Sequence, residues 1–280
     1  MAAKSKAALI SFAMFFAVSL SVPSLAQTSQ NASSDGPAPG DAAALAQQLT
    51  NPISSLISVP FQLNYDTGIG PADADRWLLN IQPVAPFDLT EDWNLISRTI
   101  VPLIYAESPV PGGNDVSGIG DLVQSFFFSP KAPTANGWIW GAGPVVLLPT
   151  GKDEFTADQW GLGPTFVALK QQSGWTYGGL VNHIWGFDAP SDRQDVNATF
   201  LQPFLTYTTP DAWTFALVSE STYDWTAEEW TVPVNFNVSK LTHFGKQPVS
   251  FQVGYRHFFD TPSGGPDWGL RFAVTLLYPK

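Results

Sequence analysis

The sequence predicts an all-β protein, an antiparallel up-and-down transmembrane β-barrel of about twelve strands with a short N-terminal helix or tail ahead of it. Three observations predict it. From Ile57 onward, apolar and polar residues alternate with a period of two, the mark of a strand with one apolar face. All eleven tryptophans lie beside a turn, at an end of one of these alternating runs. The chain is 44% hydrophobic and 14% aromatic but only 13% charged, where a soluble domain carries about 25% charged residues. Beyond the first residues no stretch approaches the ~20 apolar residues of a spanning helix.

The first element, residues 1–26, reads as a signal peptide. Lys4 and Lys6 give a positive start, an apolar run from Ala7 to Leu20 follows, and Ser24-Leu25-Ala26 supplies a small-residue cleavage pattern. Loss of the two lysines takes the formal charge from −11 to −13. That excludes nucleic acid as a partner, since binding it needs basic patches. Without cysteine the chain has no disulfide framework, thiolate metal site or thiol nucleophile. Residues 27–55 form a flexible N-terminal segment, rich in Ser, Asn, Gly, Pro and Asp as far as residue 41. Within it, residues 42–50 have the composition of a short helix, which Pro52 stops.

Residues 56–280 form the barrel. In the run from Ile57, residues Ile57, Val59, Phe61, Leu63 and Tyr65 share one face while Ser58, Pro60, Gln62 and Asn64 share the other. Twelve runs follow this rule, at about 57–66, 76–87, 93–104, 118–129, 137–148, 160–170, 175–186, 196–208, 213–223, 230–240, 249–259 and 268–278. Most have the ~9–11 residues that a tilted membrane strand needs. The alternation is weakest in 137–148 and 160–170, where Gly and Pro interrupt it. A soluble β-sandwich or periplasmic barrel is the competing architecture, but its apolar faces would not need aromatic ends.

The connections alternate in length. Segments 88–92, 171–174 and 209–212 are short and fit the periplasmic side; 67–75, 105–117, 149–159, 187–195 and 260–267 are longer and fit the outer side. Segments 130–136 and 241–248 are long for periplasmic turns. Running up and down, the strands sort the tryptophans into two membrane-interface belts. Trp93, Trp138, Trp140, Trp175 and Trp213 fall on the periplasmic rim, and Trp77, Trp160, Trp185, Trp225, Trp230 and Trp268 on the outer rim. Indole, with an apolar body and one N–H donor, favours such a boundary.

Three stretches carry a family resemblance: NPISSLISVPFQLNYDTGIGP (51–71), GAGPVVLLPTGKDEF…WGLGPTFVALKQQSGWTYGGLVNHIWGF (141–187) and VNATFLQPFLTYTT (196–209). They resemble the bacterial outer-membrane proteins of the phenol meta-pathway degradation family, over roughly residues 45–280. The Pro149-Thr150 turn, the pairs Gly143-Pro144 and Gly163-Pro164, and the stretch around His183 are the most specific parts. The resemblance implies a Gram-negative outer-membrane barrel with a transport role, and it brings no catalytic residues with it. Membrane lipid, lipopolysaccharide and the outer-membrane assembly machinery are then the expected partners. Many such barrels end on an aromatic residue read by that machinery; here Tyr278 stands two residues before the end.

Candidate chemistry is sparse, and neither enzyme activity nor a cofactor or metal is expected. His243 falls in a predicted turn, and His183 and His257 near outer strand ends, as girdle or lumen residues. Pro149-Thr150-Gly151-Lys152 fails as a phosphate loop, with Val146 where the first glycine belongs and Asp153 in place of Ser/Thr. Asp153, Glu154 and Asp158 do not match calcium-loop spacing. The triplets at Asn197 and Asn237 read as lumen-facing polar residues of bacterial strands.

The polar face of the strands supplies the lumen candidates: Ser58, Gln62, Asn64, Asp66, Arg98, Glu220, Asn235, Asn237, Gln252, Arg256 and Arg271. Parity turns Arg256 and Arg271 inward, since a charge on the lipid face at mid-depth costs about 2–4 kcal/mol. They form either one positive patch that selects anionic solutes or ion pairs with carboxylates such as Glu220 or Asp66. The expected function is a passive channel for small solutes, aromatic or apolar ones among them. The alternative is a closed structural or binding barrel, plugged by inward Phe or Leu residues or by residues 27–55. An outer-membrane lipid hydrolase, needing a lipid-facing Ser–His pair, ranks below both.

Overall fold

The computed structural model describes residues 39–152 and 154–279. The predicted signal peptide, residues 27–38 and Asp153 lie outside the described residues. Among the described residues one helix, α1 (Pro39–Leu49), precedes sixteen β-segments. These are β1 (Ile57–Ile69), β2 (Ala74–Ile81), β3 (Val84–Asp88), β4 (Trp93–Ala106), β5 (Val116–Ile119), β6 (Leu122–Pro130), β7 (Trp138–Leu148) and β8 (Trp160–Gln172). They continue as β9 (Trp175–Phe187), β10 (Asn197–Thr208), β11 (Trp213–Ser219), β12 (Ser221–Asp224), β13 (Glu229–Thr231), β14 (Pro233–Phe244), β15 (Gln247–Phe258) and β16 (Trp268–Tyr278).

Four pairs run end to end, namely β2/β3, β5/β6, β11/β12 and β13/β14, so the wall has twelve staves. Each stave pairs antiparallel with its sequence neighbours. The last joins the first along β1–β16, from Ile57↔Tyr278 to Thr67↔Trp268. Closure leaves no edge strand, so the ladder takes up backbone polar groups all the way round.

The staves match the twelve predicted runs, and their breaks have a local cause. Proline has no N–H to give to a ladder. Pro83 follows the end of β2, and Pro203 and Pro233 flank Glu220, where the β11/β12 stave is interrupted. Backbone bonds across the gaps, Gln82 N–H to Pro60 O (2.9 Å) and Gly120 N–H to Pro102 O (2.9 Å), keep those staves continuous. One connection is shorter than expected. Residues 241–248 are mostly strand, and Phe244↔Gln247 pair around a tight Gly245-Lys246 turn with Gly245 at φ +60°.

The Gly-Pro pairs in the weakly alternating runs become intelligible in the sheet. Pro144 and Pro164 face each other across β7–β8. A Cβ on Gly163 would run into the carbonyl oxygen of His183, and one on Gly143 into that of Phe126. Glycine here permits close backbone approach.

The two faces of the wall divide as parity requires. Phe61, Leu103, Phe166, Leu205, Phe236, Val253 and Phe272 are exposed outside, while Asn64, Asp66, Asn235, Arg256 and Arg271 are buried inside. The tryptophans gather at the two ends of the barrel. At the short-turn end, Trp93 packs edge-on against Trp140 at 5.9 Å, Trp138 against Tyr177 at 6.1 Å and Trp175 on Tyr207 at 4.9 Å; Trp213 lies beneath Lys240. At the long-loop end, Tyr65 contacts Trp77 (4.7 Å) and Trp268 (6.5 Å), and Tyr223 contacts Trp225 (4.8 Å) and Trp230 (4.9 Å). Trp160 and Trp185 are exposed at the same end.

Helix α1 covers nearly the predicted helical stretch, ending just before Asn51-Pro52. Its small apolar side lies inside the short-turn mouth. Ala46 and the following Leu56 are buried against Ala212, Leu241 and Leu277, with Leu45 and Leu49 packed alongside. Polar contacts fix its end: Gln171 Nε2 donates to Gln47 O (2.7 Å), and the Thr50 and Thr176 hydroxyls bond at 2.7 Å. Residues 42–55, read from composition as part of a flexible lead, are thus built into the barrel.

Candidate functional site: the lumen

All eleven lumen candidates face inward. Ser58, Asn64, Asp66, Asn235, Asn237, Arg256 and Arg271 are buried, and Gln62, Arg98, Glu220 and Gln252 are half-buried. They gather on the arc formed by β1–β4 and β11–β16. Strand parity alone accounts for their direction. Barrel closure accounts for their partners.

A layer of ion pairs crosses this arc. Arg271 on β16 meets Glu220 with two parallel hydrogen bonds, Nη1 to Oε1 at 3.0 Å and Nη2 to Oε2 at 2.6 Å. Its Nε donates to Asn64 Oδ1 (2.8 Å), and Arg256 Nη1 donates to the same oxygen at 2.6 Å. Arg256 Nε lies 3.1 Å from Asp66 Oδ1, an ionic contact whose angle does not make a hydrogen bond. Arg76 closes the layer at Asp66 Oδ2 (3.0 Å). Bidentate Arg–carboxylate geometry is the strong form of such a contact. The two arginines of β15 and β16 therefore stand together on one amide oxygen, and each also takes a carboxylate. Arg98 differs: its Nη2 donates to the amide oxygen of Gln82 at 2.9 Å.

Glu220 reaches this layer because of its backbone. It sits in the gap between β11 and β12, where its N–H bonds Pro233 O at 3.2 Å. Asn235 supports the same turn of chain, donating from Nδ2 to Val218 O (3.1 Å).

The lumen also holds an apolar cluster of the kind the plugged alternative anticipated with inward Phe or Leu residues, although its members were not singled out from the sequence. Ile96, Phe127, Val167, Leu169 and Leu180 are buried against Ile53, which follows α1, with Ile139, Phe200 and Phe204 at the margin. The signal was available. The runs at 122–130, 138–148 and 160–172 carry apolar residues at both parities, and their inner faces mix Phe127, Val145, Val167 and Leu169 with Ser125, Ser129 and Thr165.

Between α1 and the ion-pair layer lies a cavity of ≈ 250 Å³. Leu49 and Thr50 form its floor. Phe204 and Val218 give it an apolar side, and Arg98 and Gln82 a polar one.

The remaining sequence candidates lie elsewhere. His183 shares its face with the exposed Trp185, meets its ring at a tilt with centroids 4.1 Å apart, and shares a hydrogen bond with the Thr199 hydroxyl (2.7 Å). His257 is exposed between Tyr255 and Phe259. Both lie on the outward face near the long-loop end. Asn237 is buried in the lumen, but Asn197 shares the outward parity of Leu205 near the loop rim, correcting its expected direction. In the 149–159 loop, Asp121 accepts from the Gly151 and Ala157 N–H groups (2.9 and 2.7 Å). Among the described residues no His, Asp and Glu side chains group as metal ligands.

No protein-family model matches the sequence, and no curated protein matches it. Solved structures do match. An outer-membrane channel from Pseudomonas putida F1 aligns with a TM-score of 0.61 at 16% identity, over 80% of this chain and 96% of that one. The β-domain of a Bordetella autotransporter aligns with a TM-score of 0.46 at 11% identity, over 80% of this chain and all of the other. The first likeness establishes a shared barrel fold.

Proposed function

We propose that the chain is an outer-membrane channel for small solutes, closed at rest by its own N-terminal segment and by the lumen ion pairs. The observation that carries this reading is the cavity between two closures inside a barrel whose outer wall is apolar. A wall exposing Phe61, Val253 and Phe272 between two aromatic rims is suited to a hydrocarbon layer about 25 Å tall. The short-turn end, which α1 enters, takes the periplasmic side, and the long loops take the outside. Export by a cleaved signal peptide belongs to the same reading, as does contact with lipid, lipopolysaccharide and the assembly machinery. So does the fold shared with a protein described as an outer-membrane channel.

In this reading no catalytic step occurs and no cofactor is held. A solute crosses by diffusion once α1 leaves the mouth or the Arg271–Glu220 contact opens. The test is solute flux and single-channel current of the mature protein in liposomes, compared with a deletion of residues 27–50. We expect small or intermittent currents from the intact chain and a large sustained rise on deletion. No flux from either protein would refute the channel. A second reading, a closed structural or binding barrel, is favoured by the apolar Ile53–Phe127 cluster in the lumen. It predicts silence from both proteins.

A further inference from the structure

We infer that the lumen cavity is a binding site for a small monocarboxylate with an apolar body, and that Arg98 is the residue that holds its carboxylate. This rests on the reading of the lumen as a solute path and names the solute class.

The argument begins with charge. Four inward arginines, Arg76, Arg98, Arg256 and Arg271, share the mid-lumen layer with two carboxylates, Asp66 and Glu220. Asp66 is taken by Arg76 and Arg256, and Glu220 by both terminal nitrogens of Arg271. Arg98 has no carboxylate at ion-pair distance among the described residues. Its side-chain hydrogen bond goes to the neutral Gln82 amide, and the Glu220 carboxylate, on the same cavity but held by Arg271, acts on it only from beyond ion-pair distance. A guanidinium has five donors in a planar fork that matches a carboxylate, and a charge away from bulk water is costly unless paired. The unmatched cation borders the cavity rather than packed protein. A bound anion supplies the missing partner.

The cavity sets the rest of the solute. Its ≈ 250 Å³ falls just below the ~300–1,000 Å³ of pockets for drug-sized ligands, so the occupant is small. Phe204, Val218 and Leu49 offer an apolar body apolar contact, while the Gln62 and Gln202 amides stand in the polar wall. Glu220 also lines the cavity, and its carboxylate is held by Arg271. Counting Arg98, Arg271 and Glu220, the cavity keeps one net positive charge, which favours a monoanion over a dianion or a cation.

The test is calorimetric titration of the folded full-length mature protein in detergent with acetate, butyrate and benzoate, each beside its neutral alcohol. Folding is checked by heat-modifiable gel migration. We expect benzoate to bind tightest and at least about tenfold tighter than benzyl alcohol, as a charge-assisted bond requires. Arg98→Gln should lower benzoate affinity about tenfold or more, leave benzyl alcohol unchanged, and be partly rescued by Arg98→Lys. Equal binding of acid and alcohol, or no binding of any carboxylate by the wild type, overturns the inference even if Arg98→Gln does not fold. So does unchanged benzoate affinity in a folded Arg98→Gln protein. Carboxylate binding without liposome flux would sink the channel and keep the site, whereas flux without binding would do the reverse.

Discussion

Replacing Glu220 with glutamine removes one negative charge from the middle of the lumen and keeps the side chain's shape. In the native layer Arg271 is 3% exposed and gives both terminal nitrogens to Glu220, at 3.0 and 2.6 Å. In the variant one acceptor becomes an amide N–H₂ that faces the guanidinium, and the layer retains four arginines against Asp66 alone. Removing one partner of a buried ion pair costs about 3–5 kcal/mol. Arg271 keeps its Nε bond to Asn64, and Glu220 is 21% exposed, so the expected loss lies at the low end, about 3 kcal/mol. That is more than a hundredfold in the folding equilibrium constant. Urea unfolding in micelles, followed by tryptophan emission, measures it. The comparison is Asp88→Asn, which removes the exposed Lys131–Asp88 contact at 2.7 Å and should cost under about 1 kcal/mol. A second comparison pairs Glu220→Leu with Arg271→Met. Removing both charges should recover most of the loss, because well-packed apolar replacements of buried pairs are often neutral. If Glu220→Gln costs no more than Asp88→Asn, the ion-pair layer is not a closure and the reasoning fails.

Two further substitutions test the wall. Val253→Arg places a charge on the exposed outer face at mid-stave and should destabilise the barrel in lipid by about 2–4 kcal/mol, while Gln252→Arg, one residue away and inward, should cost less; equal costs would contradict the assignment of inside and outside. Gly163→Ala should cost about 1–3 kcal/mol by overpacking, since its Cβ meets the His183 carbonyl. Gly179→Ala, whose Cβ would lie 3.7 Å from its nearest neighbours, should be near neutral, and the two unfolding curves check the contrast.

What the sequence by itself determined is the wall. Period-two alternation specified twelve staves, the two rims, and the direction of most side chains, with Asn197 an exception. A residue's parity is a local property, so Arg256, Arg271 and Asn235 could be turned inward without knowing their neighbours. The helix before Pro52 was equally local. What only the tertiary structure decided is everything that crosses the lumen. Arg271 reaches Glu220 and Arg256 reaches Asp66 because the last stave closes on the first and sets their heights. Periodicity carries no information about height across a closed ring. The same holds for Ile53 against Phe127 and for α1 in the mouth, where the partners are distant in sequence and the driving force, burial of apolar surface, has no direction. The unmatched Arg98 belongs to both. Parity turned it inward, and closure placed it beside a cavity where, among the described residues, the Glu220 carboxylate is held by Arg271 and none lies within ion-pair reach of Arg98.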